Sequence, residues 1–272
     1  MGKSDLAGKV AIVTGGGRGI GRAMALGLAN FGASVIVTAA RNPAEAGAVA
    51  AQAQIETGRE SVIAVEADVA VEADSERVVE AALSNFGAVH ILVNNAGRGM
   101  RFVSEDFLER PTKFWQTDAA TWRMIIDTNV NGPFMMAKAV VPHFLTNGWG
   151  RIINITMNQE TMRRAGFSPY GPSKAALESE TIIWSQDLAG TGVTVNGLSP
   201  GGITESGMVP EPAREKFRRV MLDPAVMVAP LLWLCSEQSN GVTGNRYVAK
   251  DWDPLMPPEE AAQHARTTAG WT

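Results

Sequence analysis

The sequence predicts an α/β fold, a single domain on a doubly wound parallel sheet. Three observations carry this expectation. Short apolar runs alternate along the chain with longer amphipathic stretches, the pattern of strands joined by crossover helices. The first run, Val10–Val13, leads into Thr14-Gly15-Gly16-Gly17-Arg18-Gly19-Ile20-Gly21, which opens a helical pattern. The chain has 272 residues, 45% hydrophobic and 19% charged, enough for one sizeable core with an ordinary globular surface.

In chain order, Val10–Val13 reads as a buried strand and Ile20–Phe31 as the helix after the glycine turn. The strand Ser34–Thr38 precedes the helix Ala44–Thr57, and the strand Val62–Glu66 precedes the helix Ala73–Phe86, with Gly58 and Gly87 as the stops. The strand Ile91–Asn94 is followed by a long loop from Arg98 to about Asp118, then by one long helix, Ala119–Thr146, ending near Gly148. After the strand Arg151–Ile155 comes the helix Pro172–Leu188, which Ser168 is placed to cap and Pro169 to start, with Gly192 beyond its end. The strand Thr194–Leu198 leads to a second long loop, Gly201 to about Asp223, then the short helix Pro230–Leu234 and the strand Arg246–Val248. The tail from Asp251, with Pro254, Pro257 and Pro258, reads as irregular and peripheral. No linker, repeat or low-complexity block interrupts the pattern, so residues 1–272 read as one domain. Both long loops leave the carboxyl ends of strands, where ligands sit in such a sheet, and their length marks them as substrate loops.

Composition narrows the function classes. The net charge of −4 argues against a nucleic-acid surface. No apolar stretch approaches a membrane span, and the polar start Met1–Lys9 has no secretory core, so a cytoplasmic location is expected. The single cysteine, Cys235, reads as a small buried hydrophobe. His90, His143 and His264 are scattered without ligand spacing, so no metal is predicted.

Two segments carry chemistry. In the first, Gly15, Gly17, Gly19 and Gly21 allow a sharp turn with no side chain between backbone and ligand, and the following helix aims unpaired N–H groups at it: a diphosphate site. In the second, Tyr170-Gly171-Pro172-Ser173-Lys174, the phenol and the ammonium lie four apart and share a helix face. A free phenol, with a pKa of about 10, is too weak a base near neutrality. A neighbouring ammonium favours phenolate and makes Tyr170 a proton carrier for a substrate oxygen.

The glycine turn, Asn94-Asn95-Ala96-Gly97 after the fourth strand, Asn129, Tyr170-x-x-x-Lys174 and Pro200-Gly201 after the sixth strand together resemble the short-chain dehydrogenase/reductase family over about residues 6 to 250. The resemblance implies a Rossmann-type fold, a nicotinamide cofactor and hydride transfer between carbonyl and alcohol. It makes Tyr170 the acid/base and Lys174 both its tuning group and a ligand of the nicotinamide ribose, with Asn129 holding a water that links Lys174 to solvent. It assigns Gly15, Gly17, Arg18, Gly19, Ile20 and Gly21 to the pyrophosphate, Asp68 and Val69 to the adenine, Asn95, Ala96 and Gly97 to the ribose side, and Pro200, Gly201 and Ile203 to the nicotinamide amide. Thr204 and Glu205 follow where the family often places a threonine one position later. The helix Pro172–Leu188, apolar on more than one face through Ile182, Ile183 and Trp184, would pair with the preceding long helix in a homodimer, and the chain end would support a homotetramer. The same residues would otherwise simply cover the sheet.

Cofactor choice follows from charge. NAD sites place a carboxylate at the end of the second strand; here that position is near Ala39, and Arg41 follows while Arg18 sits in the turn. Guanidinium groups without a carboxylate suit a 2′-phosphate, so NADP(H) is favoured over NAD(H).

One residue departs from the family. Met157 stands where a serine is normal, thirteen positions before the tyrosine, and a thioether donates no hydrogen bond to a carbonyl. Three readings follow. Asn158, Gln159 or Thr161 substitutes; the substrate or Tyr170 alone suffices; or hydride transfer is lost, leaving a non-redox lyase or isomerase, or a dinucleotide-binding regulatory protein. Adjacent Thr156 should face the other way. Phe102, Phe107, Phe114 and Trp115 in the first loop suit a bulky apolar substrate or a satellite core. Arg101, Arg163 and Arg164 are either carboxylate binders or solvated surface, and Met208, Met221 and Met227 either shape an adaptable pocket or pack core.

Overall fold

In the computed structural model, which describes residues 5–270, the strands β1 (Val10–Val13), β2 (Ser34–Ala39), β3 (Val62–Glu66), β4 (Ile91–Asn94), β5 (Gly150–Ile155), β6 (Val193–Ser199) and β7 (Asn245–Val248) form a parallel sheet. The spatial order is β3-β2-β1-β4-β5-β6-β7, with β8 (Arg266–Thr268) added antiparallel at the edge. The crossovers are α1 (Gly19–Asn30), α2 (Pro43–Thr57), α3 (Glu72–Phe86), α4 (Ala119–Ile126), α5 (Gly132–Asn147), α6 (Gln159–Met162), α7 (Tyr170–Asp187), α8 (Glu211–Phe217) and α9 (Val228–Leu234), with α10 (Pro258–Ala265) near the chain end. This is the predicted Rossmann-type single domain.

Strand periodicity divides the core between two faces. Ala11 and Val13 of β1 pack with Met24 and Leu28 of α1, Val49 of α2 and Leu231 of α9. Val10 and Ile12 of the same strand point the other way, onto Val78 of α3 and Met136, Val140 and Phe144 of α5. The chain order reverses between β1 and β4, which opens a crevice beyond their carboxyl ends. The register Val13↔Val37 and Val13↔Val93 sets the ends of β1, β2 and β4 level, so their exit residues meet there.

Four expectations need correction. The predicted helix Ala119–Thr146 is broken by a π-helical turn at Asp127–Asn131. Pro133 has no N–H to return to the carbonyl of Asn129, so the α ladder cannot run through unbroken. The tail is not irregular: Pro258 at the first helical turn, Glu259 and Glu260 against the dipole, and buried Ala261, Ala262 and Ala265 build α10, and β8 then pairs with β7. The loop after β6 contains α8. Finally, α7 begins at Tyr170 with Pro169 as its N-cap, and no side chain caps it, so Ser168 does not play that part.

Candidate active site

The crevice is a cleft of about 850 Å³ that joins both chemical segments. At its base β1 turns through Gly15 and Gly19, both at positive φ (60° and 52°). Backbone polar groups are locked by neighbours: Gly15 N–H donates to Thr38 Oγ1 (3.2 Å), and Thr14 Oγ1 accepts from the N–H of Asn95 and of Ala96 (3.0 Å each). Asn95 Nδ2 donates back to the carbonyls of Thr14 (2.8 Å) and Gly15 (3.0 Å). A Cβ on Gly21 would lie 2.4 Å from Gly15 O and 2.5 Å from Asn95 Nδ2, so only glycine fits. No side chain caps α1, whose first N–H groups stay open toward the turn. With those carbonyls engaged by Asn95, the absent Cβ atoms and the uncapped helix N-terminus fit a pyrophosphate.

Gly15, Gly17, Arg18, Gly19, Ile20, Gly21, Arg41, Asp68, Val69, Asn95, Ala96, Gly97, Pro200 and Ile203 all line the cleft, as do Tyr170 and Lys174. Two expected residues stand back from it. Gly201, at φ 90°, makes the turn after β6 and accepts a hydrogen bond from Asn158. Asn129 is fully buried, and both N–H groups of its amide are spent, on the Arg98 carbonyl and on Ser173 Oγ (2.9 Å each). Its Oδ1 accepts from the Arg98 N–H (2.8 Å). The Asn129 side chain therefore pins the β4 exit to α7.

Tyr170 and Lys174 occupy the first turns of α7. Lys174 Nζ donates to the Ile155 carbonyl at the end of β5 (2.7 Å), and burial pulls its pKa down to about 8. Burial pushes the Tyr170 phenol up to about 12, and its hydroxyl faces the Met208 thioether at 3.7 Å. The protein alone thus holds a neutral phenol and, one turn along α7, an ammonium that is easily discharged. A positive charge arriving above the phenol is what would draw its proton off.

The wider comparison decides the family. Residues 9–216 match the family model described as short chain dehydrogenase. This chain belongs to the short-chain dehydrogenase family. It is 38% identical over 198 residues to a 3-oxoacyl-[acyl-carrier-protein] reductase of Synechocystis sp., covering 73% of this chain and 75% of the relative. Over 206 residues it is 36% identical to an NADPH-dependent aldehyde reductase-like protein, chloroplastic, of Arabidopsis thaliana, 73% of each chain. It is also similar to the crystal structure of 3-ketoacyl-(acyl-carrier-protein) reductase from Brucella melitensis complexed with NADH, at a TM-score of 0.77 and 33% identity, over 89% of this chain and 96% of that one. The chain is a short-chain dehydrogenase/reductase, an enzyme of alcohol and carbonyl groups.

In this dehydrogenase Met157 does face the cleft, packed against a small cluster of Met100, Phe107 and Phe167 with Tyr170. The Thr156 hydroxyl is buried without a partner. Of the three candidate substitutes, Asn158 and Thr161 line the cleft, Asn158 giving one amide N–H to the Gly201 carbonyl, while Gln159 stands off it and gives an N–H to the Gly270 carbonyl. The aromatic loop residues divide. Phe107 stacks edge-on with Phe167 (5.7 Å) as satellite core, whereas Phe114 and Trp115 are an exposed pair. Met227 is core, and Met208 alone of the three loop methionines lines the cleft.

Sequence reasoning missed the surroundings of Arg41. Its guanidinium lies 4.7 Å from the Phe102 ring centre, and Arg98 lies over the same ring at 5.9 Å. Arg98 pairs with Asp68 (3.4 Å), and burial and the like charge of Arg41 pull it below its ordinary value. Arg18 is paired with Glu45 (3.5 Å). The one available signal for Arg98 was a cation immediately after the Asn94–Gly97 segment. Among the described residues no group of three metal-ligating side chains comes together, and no helix is long and apolar enough to cross a membrane.

Proposed function

We propose that this dehydrogenase interconverts a carbonyl compound and an alcohol using NADP(H), with Tyr170 as acid/base, Lys174 as its electrostatic partner and Asn129 as the residue that holds their scaffold. The observation that carries the reading is the placement of the Tyr170–Lys174 pair in one cleft with the glycine cradle. The nicotinamide ring, when bound, supplies or accepts the hydride and in its oxidised form carries a positive charge. Tyr170 gives its proton to the carbonyl oxygen as alkoxide character develops, and takes it back in the reverse direction. Lys174, anchored on the Ile155 carbonyl, holds the ammonium on the Tyr170 side of α7 and stabilises the phenolate. Asn158 and Thr161, which line the same cleft, are the polar side chains available to act where Met157 cannot.

NADP(H) is supported by charge. Ala39 and Ala40 line the adenosine end without a carboxylate, Arg41 there has no acidic partner among the described residues, and the cleft carboxylates Glu45 and Asp68 are neutralised by Arg18 and Arg98. Exposed Trp122, Phe134 and Ile183 on α4, α5 and α7 support a homodimer through these helices. The test is a screen of ketones, aldehydes and alcohols followed by NADPH absorbance. Turnover that Tyr170→Phe abolishes, with NADPH binding retained, is the expected result. Equal affinity for NADPH and NADH refutes the cofactor assignment, and full activity of Tyr170→Phe refutes the mechanism.

A further inference from the structure

Six cations line the cleft: Arg18, Arg41, Arg98, Arg101, Arg164 and Lys174. Three are neutralised by the three carboxylates that share the lining, as Arg18–Glu45 (3.5 Å), Arg98–Asp68 (3.4 Å) and Arg101–Glu105 (2.9 Å). Of the remaining three, Lys174 is committed to the Tyr170 side of the cleft and Arg41 lies at the adenosine end. Arg164, exposed at the rim, has no carboxylate partner among the described residues; its guanidinium rests 5.4 Å from the Phe167 ring centre.

The main chain at Arg164 is tied to the start of the acid/base helix. Its carbonyl accepts from the Phe167 N–H (3.1 Å), and the Phe167 carbonyl accepts from the Gly171 N–H (2.6 Å), one residue after Tyr170. Phe167 is 8% exposed and wedged on Phe107, so the platform beneath the guanidinium does not move freely. Arg164 and Phe167 further line an adjoining groove of about 360 Å³ that reaches Phe114 and Trp115. Arg163, its neighbour in sequence, lines that groove only, and Arg101 is held by Glu105 and the Gly207 carbonyl.

We infer that Arg164 is a substrate-carboxylate site: the carbonyl compound reduced here carries a carboxylate on an apolar or aromatic body. This rests on the proposed carbonyl reduction and names its substrate class. A planar guanidinium offers a carboxylate two parallel hydrogen bonds, and Phe167, packed with Phe107 and Met157, offers the apolar body a surface beside it. The missing serine fits the same picture. A substrate gripped at its carboxylate is oriented by that grip, so the carbonyl needs one hydrogen bond fewer from the β5 exit to be held at Tyr170.

The test uses the whole protein with NADPH and matched aldehydes and ketones: 3-formylbenzoate, 4-formylbenzoate and benzoylformate, their methyl esters, and 4-formylphenyl phosphate. The acids are expected to be turned over with kcat/KM on the order of tenfold or more above the esters. Arg164→Gln is expected to lower kcat/KM for the acids by roughly ten- to a hundredfold, mainly through KM, and to leave the esters nearly unchanged, with partial rescue in Arg164→Lys and no effect of Arg163→Gln. Binding of the same acids and esters to the NADPH complex is measured in parallel by ligand-observed NMR, on wild type and on Tyr170→Phe. Acid-selective binding that survives Tyr170→Phe and vanishes in Arg164→Gln supports the site even if no compound is reduced, in which case only the proposed reaction fails. Esters used or bound as well as acids, an equal loss for both in Arg164→Gln, preference for the phosphate, or no acid binding to wild type each overturns the carboxylate site.

Discussion

Lys174→Met tests the electrostatics of the site without needing a substrate. The lysine is 3% exposed, and burial lowers its pKa from 10.5 to about 8. At about 1.4 kcal/mol per pH unit, holding it charged inside the fold costs on the order of 3 kcal/mol. The sign follows from proton counting. Between pH 8 and 10.5 the unfolded chain keeps a proton on this lysine that the folded chain has released, so wild-type stability rises with pH across that window from this group. Below pH 8 both states are charged and the full penalty stands; above 10.5 neither is charged and it is gone. Methionine removes the charge but leaves the Ile155 carbonyl without its donor, a loss of roughly 1–3 kcal/mol. The variant is therefore expected to be slightly more stable than wild type at pH 7.5, by about 1 kcal/mol. That advantage should shrink by about 3 kcal/mol and change sign by pH 10.5. Tyr170 and Tyr247, both pushed up to about 12, are present in both proteins and drop out of the difference. Urea unfolding followed by the fluorescence of the seven tryptophans, at fixed protein concentration, measures it. A stability difference that stays flat from pH 7.5 to 10.5 refutes the claim that Lys174 is a charge held against its solvation.

Other outcomes follow from the same geometry. Arg41→Ala should weaken NADPH binding by roughly tenfold and leave NADH unchanged, because one charge-assisted contact to the 2′-phosphate is lost; a fluorescence titration reads both. Gly21→Ala should abolish measurable cofactor binding, since its Cβ would lie 2.4 Å from a backbone oxygen. Gly47→Ala, with nothing within 4 Å in the middle of α2, should instead stabilise the fold by about 0.5–1 kcal/mol. Met157→Ser should raise kcat on simple ketones, and Thr161→Val should lower it in the wild-type background. No loss from the valine would exclude Thr161 as the substitute donor.

The strands and the cradle were legible because each is a local pattern with one physical solution. Val10–Val13 is apolar at every position and lands in both core clusters, and a Cβ on Gly21 would collide with Gly15 O and Asn95 Nδ2. Tyr170 and Lys174 were legible because four residues on a helix fix a shared face. What failed was also local in cause. The prolines of the tail read as breakers, yet Pro258 stands at the first turn of α10, where a missing N–H costs nothing. The break in the long helix at Asp127–Asn131 was written in Pro133, but a proline in a first turn and one that stops an α ladder look alike until the preceding residues are seen to be helical.

The charges of the cleft show where sequence reading stops. Periodicity places helices and strands, but it sets no path for the segment after β4, and that segment brings Phe102 to Arg41 and Arg98 to Asp68. A count of arginines near the motifs gives every one the same claim on an anionic ligand. Pairing distances remove that equality: an arginine already facing a carboxylate loses much of its attraction for a second anion, and only the unpaired one keeps it. Arg18 and Arg41 entered the cofactor argument as equals, and Glu45 separates them. Arg101, Arg163 and Arg164 entered the substrate argument as equals, and Glu105 together with the lining of the cleft leaves Arg164. Both proposed specificities therefore rest on which acids the fold has already spent, a property of long-range contacts that no local motif encodes.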